Sequence, residues 1–447
     1  MSETRVAAGA DKTGIVRDAI LSRLEREELL AGQQLPGARD LAQQLGISFL
    51  KVQQALETLV MDGVLEVRSR VGTFVQQRWR ERALRENLSL YQSGPRMPWL
   101  PGLAALVADE LPGLRFTSVF RQGVLELKTT QSVQAHQENY LDLAPAFMAA
   151  YGEGADFFSE PFAPFRVGDR LIAVPFIFSP RVMFVNTAVL ARCGVPVPSQ
   201  DWTWAQFLDS LRAVHAADPA VMGCNWTSQS FFWLNIVLRA GGRVFDANAA
   251  DPICVDDVQT RVGLRCVAEL RDLLRRQHAD VAGDSDAFCR GESAFLFSER
   301  ELLPRLTEMD HDWTTVPLPR IPGGAEVSSQ ATDVLCVRKD CRDPCLAEKY
   351  VRVMLSAPVQ DFIAGQRYGI PIRRSSAARS IAMDEPRDAL FAAEIPHIAS
   401  QQPLANGELM RLLMRGVRRI LEQDLDIDQA TAELAAAGRT MHAGMGY

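Results

Sequence analysis

Residues 14–77 change period so often, and at such short intervals, that few folds can accommodate them. GIVRDAILSRLEREELLA (14–31) sets Ile15, Ala19, Ile20, Leu24 and Leu29 or Leu30 at helical spacing, and Gly32 stops it. GQQLPG is a turn. RDLAQQL is a short helix with Leu41, Ala42 and Leu45 inward. Gly46-Ile47-Ser48 is a tight turn ending in a capping serine. FLKVQQALETLVMDG is the next helix, with Val52, Ala55, Leu56 and Leu59 inward and Gly63 at its end. Two short strands, VLEVRS and TFVQQ, follow across Arg70-Val71-Gly72. Helix, short helix, tight turn, helix and hairpin is the order of a winged helix-turn-helix, an α+β unit. In that arrangement the second helix of the pair enters the DNA major groove and its first residues reach base edges.

The segment LPGARDLAQQLGISFLKVQQALETLVMDGVLEVRSRVGTFV resembles the GntR family of DNA-binding domains, over about residues 12–77. Leu35-Pro36, Arg39, Leu41-Ala42, Leu45-Gly46, Ser48, Val52, Ala55-Leu56, Leu59, Gly63, Leu65 and Gly72-Thr73-Phe74-Val75 carry the likeness. The resemblance implies an operator DNA partner, contacted by Arg39, Ser48, Phe49, Lys51, Gln53 and Gln54, and by Arg68, Arg70 and Gly72 of the wing. Two family arginines are replaced here, by Phe49 and Gln53. A glutamine amide can pair bidentately with adenine, and an apolar side chain can touch a thymine methyl. Gln53 read as a solvated helix residue, or Phe49 read as packing on the short helix, is the plainer alternative. Residues 1–80 hold 11 Lys or Arg against 10 Asp or Glu, so phosphate attraction is modest.

Any DNA contact has to be local, because the whole chain carries a formal charge of −7 with a pI near 5.6. No apolar signal-peptide core precedes Asp18 and no run of about 18 apolar residues occurs, so a cytoplasmic protein with no membrane partner is expected. The eight cysteines include no C-x-x-C pair, and no histidine cluster lies near them; free thiols are expected rather than a metal site.

WRERALREN (79–87) is charged and helix-prone, and reads as a linker. Beyond it strands and helices alternate. LSLYQ, PGLAALVADEL and LRFTSVF make a strand–helix–strand unit; LIAVPFIF (171–178) and VMFVN (182–186) are two further strands; helices are expected over 203–216, 231–242 and 256–277. LIAVPFIFSPRVMFVNTAVLARCGVPVPSQDWTWAQF, Gly241-Gly242 with Val244-Phe245-Asp246, FCRGESAFLFSERELL and AEKYVRVMLSAPVQDFIAGQRYGIPIRRS resemble the family 1 extracellular solute-binding proteins, over roughly residues 86–447. That resemblance implies a two-lobed α/β fold of the periplasmic-binding-protein kind (type II, Venus-flytrap), with ligand in the cleft. The expected organisation is a winged helix over 1–78, a linker over 79–87 and a two-lobed sensor over 88–447.

Sugars offer apolar ring faces and many hydroxyls, so aromatic platforms and inward polar groups on loops after strands are the candidates. These are Gln92, Ser93 and Trp99 in the first loop, then Asp156, Phe176, Trp226 and Ser228, Glu299 after the GESA strand, Gln330 and Asp333 before VLCV, and Arg373. Trp226 and Glu299 stand first. Trp202, Trp204 and Trp233 sit in apolar helix patterns and read as core; the family resemblance implies a helix- or turn-stabilising role for Asp156 more often than a ligand contact. The six histidines are scattered without a nucleophile partner, so no catalytic residue is assigned.

A solute-responsive transcription regulator is expected from the two resemblances together. It would act as a homodimer on a two-fold site, with a small effector of the carbohydrate class and no cofactor. A pyridoxal-dependent regulator of the MocR type is the enzymatic alternative. It needs a Schiff-base lysine, and none of Lys12, Lys51, Lys128, Lys339 and Lys349 has a fitting setting. A transport receptor is the third reading, and leaves Leu35–Val75 without a purpose.

Overall fold

The computed structural model describes residues 12–25, 28–61, 63–69, 71–79, 89–92, 97–111, 114–117, 124–277, 285–307, 309, 311–341, 343–399 and 401–444. They fall into two compact units, residues 1–128 with 337–342, and residues 129–336 with 343–447. The division cuts inside the segment that the sequence assigns to the sensor.

The first unit opens with α1 (Lys12–Glu25), α2 (Ala38–Leu45), α3 (Phe49–Met61), β1 (Leu65–Arg68) and β2 (Gly72–Val75). α1 is described to Glu25, and residues 28–31, which its periodicity suggests as helix, are not helical. The chain there leaves the helix to run beside β2: the amides of Gly32 and Leu35 donate to the carbonyls of Val75 and Thr73, and that of Val75 donates to Gln33. Ile20, Leu24 and Leu29 are buried as expected, but Val16 rather than Ile15 completes the inner face of α1. Val16, Ile20 and Leu24 are buried at spacing four, whereas Ile15 is exposed. With Leu41, Val52, Ala55, Leu59, Leu65 and Val75 they form one apolar core. Trp79, read from sequence as the first linker residue, packs into it; the rest of the linker, 80–87, lies outside the described residues. Gly46 ends α2 at φ 63°, and the carbonyl of Ser48 receives the first amides of α3, those of Lys51 and Val52. Later in this unit β3 (Ser89–Gln92), α4 (Leu100–Leu106), β4 (Arg115–Thr117) and β5 (Leu125–Thr129) form a parallel β4–β3–β5 sheet with its crossover helix.

The second unit is built around β6 (Val174–Asn186), a strand of 13 residues buried along its whole length. The sequence suggested two strands with a break near Pro180. One strand runs through instead, and the proline marks a change of partner. Residues 174–180 pair with β10 (Gln330–Val337), and 177–178 also with β11 (Ile370–Pro371). Residues 181–185 pair with β8 (Ser293–Glu299), and 183–186 with β9 (Trp313–Val316). Proline has no amide to continue a ladder, so it fits the last rung against Gln330. β7 (Met222–Cys224) lies parallel to β8.

Helices cover these strands. α5 (Trp204–Ala217) starts with a capping box of Thr203 and Gln206 and sends Trp204, Phe207, Leu208 and Leu211 into a core with Trp202 and Phe295. α6 (Ser230–Arg239) packs on α7 (Val258–Gln277). Gly242 lets the turn after α6 press against α7, since a Cβ there would lie 2.5 Å from the Thr260 backbone. α8 (Arg374–Ser380), α9 (Gly407–Glu422) and α10 (Ile427–Ala443) close the chain. Trp202, Trp204 and Trp233 are buried, as their helical spacing predicts.

Candidate functional site

Where β6 changes partner, a lone arginine stands in an apolar strand. Arg181 faces Glu299 of β8 in register, with Nε 3.3 Å from Oε2. Its Nη1 donates to the Ser329 hydroxyl at 3.1 Å and to the Gln330 carbonyl at 3.0 Å. The Ser328 hydroxyl donates to the Arg181 carbonyl and accepts from its amide. Asn235, buried in α6, accepts from the Ser329 amide at 2.7 Å and donates to its hydroxyl. The Phe231 ring, one turn earlier, lies 5.3 Å from the Arg181 guanidinium carbon. β6, β8, α6 and the approach to β10 thus meet at one polar hub, drawn from residues 181, 235, 299 and 328–330.

The hub continues into acidic residues. Tyr368 donates its hydroxyl to Glu301 Oε2 at 2.7 Å. Burial, with Asp333 and Glu299 nearby, raises the Glu301 carboxyl well above the usual range. Burial and the charge of Glu299 push the Asp333 carboxyl up to about 7. Its Oδ2 is buried with no hydrogen-bond partner among the described residues. Between the two glutamates the chain is anchored by Arg300, whose buried guanidinium holds Asp388 at 2.7 and 2.9 Å and also binds the carbonyls of Gly369 and Ser380.

The expected candidates divide. Glu299, Gln330 and Asp333 belong to this hub. Trp226 follows Asn225, which exchanges two hydrogen bonds with the Phe297 backbone of β8. Trp226 is half-buried against the core, and its indole Nε1 has no partner among the described residues. Ser228 lies two residues on and donates to Glu422 at 2.6 Å.

Asp156 and Arg373 join each other instead, at 2.8 Å. Asp156 also accepts from the Ser375 amide and hydroxyl; burial opposes its charge, but these bonds outweigh it and hold the carboxyl below its ordinary value. Arg373 is further committed to the Leu355 carbonyl and the Phe157 ring. The pair therefore ties residues 156–158 to the start of α8, the stabilising role weighed for Asp156. Phe176 is a correction: it is wholly buried and presents no ring face to a solute. Trp99 is likewise buried, in the first unit. Gln92 ends β3, and Ser93 lies outside the described residues.

Sequence reasoning missed Arg181 and Asn235. The available signal was a single Arg or Asn inside an otherwise apolar strand or helix, since buried polar groups need partners. Among the described residues no three His, Cys, Asp or Glu side chains are placed to hold a metal ion. The cysteines are free thiols, and burial pushes Cys224 up to about 12. No described helix is long and apolar enough to cross a membrane.

In the first unit, Arg39, Ser48, Phe49, Lys51, Gln53, Gln54 and Arg68 are all exposed. Arg70 lies outside the described residues. Gly72 serves the turn of the wing: its φ of 141° suits glycine, and the Gln34 amide occupies the space where a Cβ would sit.

Comparison with known proteins assigns both parts. Residues 13–75 match the family described as bacterial regulatory proteins, gntR family, and residues 133–361 match the bacterial extracellular solute-binding proteins. A 65-residue segment, 14% of this chain and 24% of the relative, is 43% identical to a regulatory protein assigned to the L-lactate dehydrogenase operon of Escherichia coli K12. Another, of 193 residues, is 28% identical to an uncharacterized lipoprotein encoded in the oleD 5' region of Streptomyces antibioticus, covering 39% of this chain and 41% of that one. The chain thus spans less than half the length of these relatives. The fold matches the GacH receptor of Streptomyces glaucescens, solved unliganded and with acarbose, at a TM-score of 0.64 and 17% identity, over 79% of this chain and 98% of the receptor.

Proposed function

Since the chain belongs to the bacterial extracellular solute-binding proteins and carries a GntR-family regulatory domain ahead of that fold, we propose that it is a transcription regulator whose DNA affinity is set by a bound solute. The observation that carries this is the presence of both modules on one chain. A transport receptor has no use for residues 13–75, and neither matched family is an enzyme family.

The solute is a carbohydrate or a derivative of one. The GacH receptor, of the same fold, binds acarbose. In this chain Trp226 supplies a ring face, and Glu299 supplies a carboxylate beside the Arg181 hub. The proposed organisation is a winged helix over 1–78, a linker over 79–87 and the sensor over 88–447, in a cytoplasmic homodimer. Two-fold dimers are the usual way for one short recognition helix to gain enough sequence information. Arg39, Ser48, Phe49, Lys51, Gln53, Gln54, Arg68 and Arg70 would form the DNA surface. Solute acts by binding the DNA-competent and DNA-incompetent states with different affinity, and DNA must then alter solute affinity by the same factor.

The test is operator binding by the full chain with and without a panel of sugars, together with thermal shift by each sugar. Glu299→Gln should weaken solute binding by about 10- to 100-fold, as expected for a lost charged hydrogen bond, and leave solute-free DNA binding unchanged. A response to amino acids but to no sugar would overturn the carbohydrate class, and DNA binding indifferent to every solute would overturn the regulatory role.

A further inference from the structure

The first turn of α3 is exposed and apolar where DNA readers of this kind need base contacts. Phe49 is 46% and Leu50 62% exposed. Neither is needed by the core, since Val52, Ala55, Leu56 and Leu59 make up the inner face of that helix. The wing repeats the pattern: Val71 at its tip is 60% exposed, and the Gln34 amide holds that tip by donating to the Val71 carbonyl at 2.8 Å.

Two described cations beside these residues, Arg68 and Lys51, are already engaged. Arg68 donates to Glu66 at 2.6 and 2.8 Å and lies 4.1 Å over the Phe74 ring. Lys51 donates to the Gln54 side chain at 3.1 Å. Gln53, one turn beyond Phe49, donates to Glu57 at 3.1 Å, which also sets a carboxylate on the outer face of α3. Guanine is read by cationic forks aimed at its O6 and N7, and no arginine stands in the first two turns of α3. Thymine is the base whose major-groove edge carries a methyl group, and adenine the one that a glutamine amide matches.

We propose that α3 reads A·T pairs, with Phe49 and Leu50 as the specificity-determining residues that pack on the thymine C5-methyl and Gln53 turning from Glu57 to the paired adenine. This rests on the regulator reading above, and names the class of operator it takes.

The test uses the full chain. Duplexes are selected from a randomised library, with and without sugars, and each thymine of the preferred duplex is then replaced by uracil, which removes only the methyl. The expected result is an A·T-containing site in which at least one uracil weakens binding about fourfold, the value of one buried methyl. Phe49→Ala or Leu50→Ala should bind the thymine and uracil duplexes alike; both positions are exposed, and melting by circular dichroism checks that each variant is folded. Selection of G·C pairs at the α3 contacts, or equal binding of thymine and uracil by the unmodified protein, would overturn the proposal and leave the regulator reading standing. A change of oligomeric state in Phe49→Ala, with thymine discrimination kept, would overturn it in favour of a contact between copies. No enrichment under any condition would overturn the regulator reading and this proposal with it.

Discussion

The winged helix and the polar hub of the second unit solve opposite packing problems. Between residues 12 and 79 the buried side chains among the described residues are apolar except for Arg17, and the side chains proposed to touch DNA stand outside that core. In the second unit Arg181, Asn235, Arg300, Asp333 and Asp388 are all buried, and Glu299, proposed to meet the solute, is bonded to Arg181. An exposed reading surface can change one residue at a time, which is how Phe49 and Gln53 can replace arginines without disturbing the fold. A buried network cannot, because removing one member leaves its partners unsatisfied in a medium that solvates them poorly.

Mutations can break or sharpen this contrast. The largest effect is expected at Arg300→Ala, which leaves Asp388 buried without its counter-charge. Its cost should be about 3–5 kcal/mol, read by chemical denaturation, and should fall on the unfolding of the second unit. A loss of less than about 1 kcal/mol would show that the network is not cooperative.

Asp333→Asn comes next and carries a pH signature. The folded protein keeps a proton on Asp333 up to about pH 7, whereas the unfolded chain releases it near the ordinary 3.8. Stability from this group is therefore full below about pH 4 and is lost as the pH climbs through 7. The asparagine variant should match the parent at pH 4 and exceed it by roughly 2 kcal/mol or more at pH 8. Parallel stability curves across that range would refute the assignment.

Gly46→Ala tests the backbone of the small domain. No atom lies within 4 Å of the added Cβ, so only the left-handed conformation at φ 63° opposes it. About 1 kcal/mol should be lost from the winged helix. The smallest effect is expected at Arg68→Ala, since Arg68 is engaged with Glu66 and Phe74. Its stability cost should stay under about 1 kcal/mol, read by chemical denaturation. Arg39→Ala is the control, and should reduce the slope of log affinity against log salt by about 1.

Helix and strand periodicity made both folds legible. Val52, Ala55, Leu56 and Leu59 recur at helical spacing, and they are the buried face of α3. Trp202, Trp204 and Trp233 were readable as core for the same reason. Where local signals competed, sequence reading slipped: residues 28–31 keep a helical period, but the chain turns there to pair from Gly32 onward along β2, and Pro180 resembles a strand break but marks a change of partner. Phe176 looked like a platform because loop and strand ends cannot be told apart by one residue's position.

By itself, then, the sequence determined two modules, their order, the recognition helix and its unusual Phe49 and Gln53, because those properties live in spacing along one helix or hairpin. Only the tertiary structure decided that Arg181 faces Glu299, that Asn235 holds Ser329, and that Asp156 is bound to Arg373 rather than left for a solute. These partners lie 94 to 217 residues apart in the chain. No local periodicity encodes such a pairing; at the hub it follows from the partner change of one buried strand, β6, which brings distant polar groups to a place where each must find another.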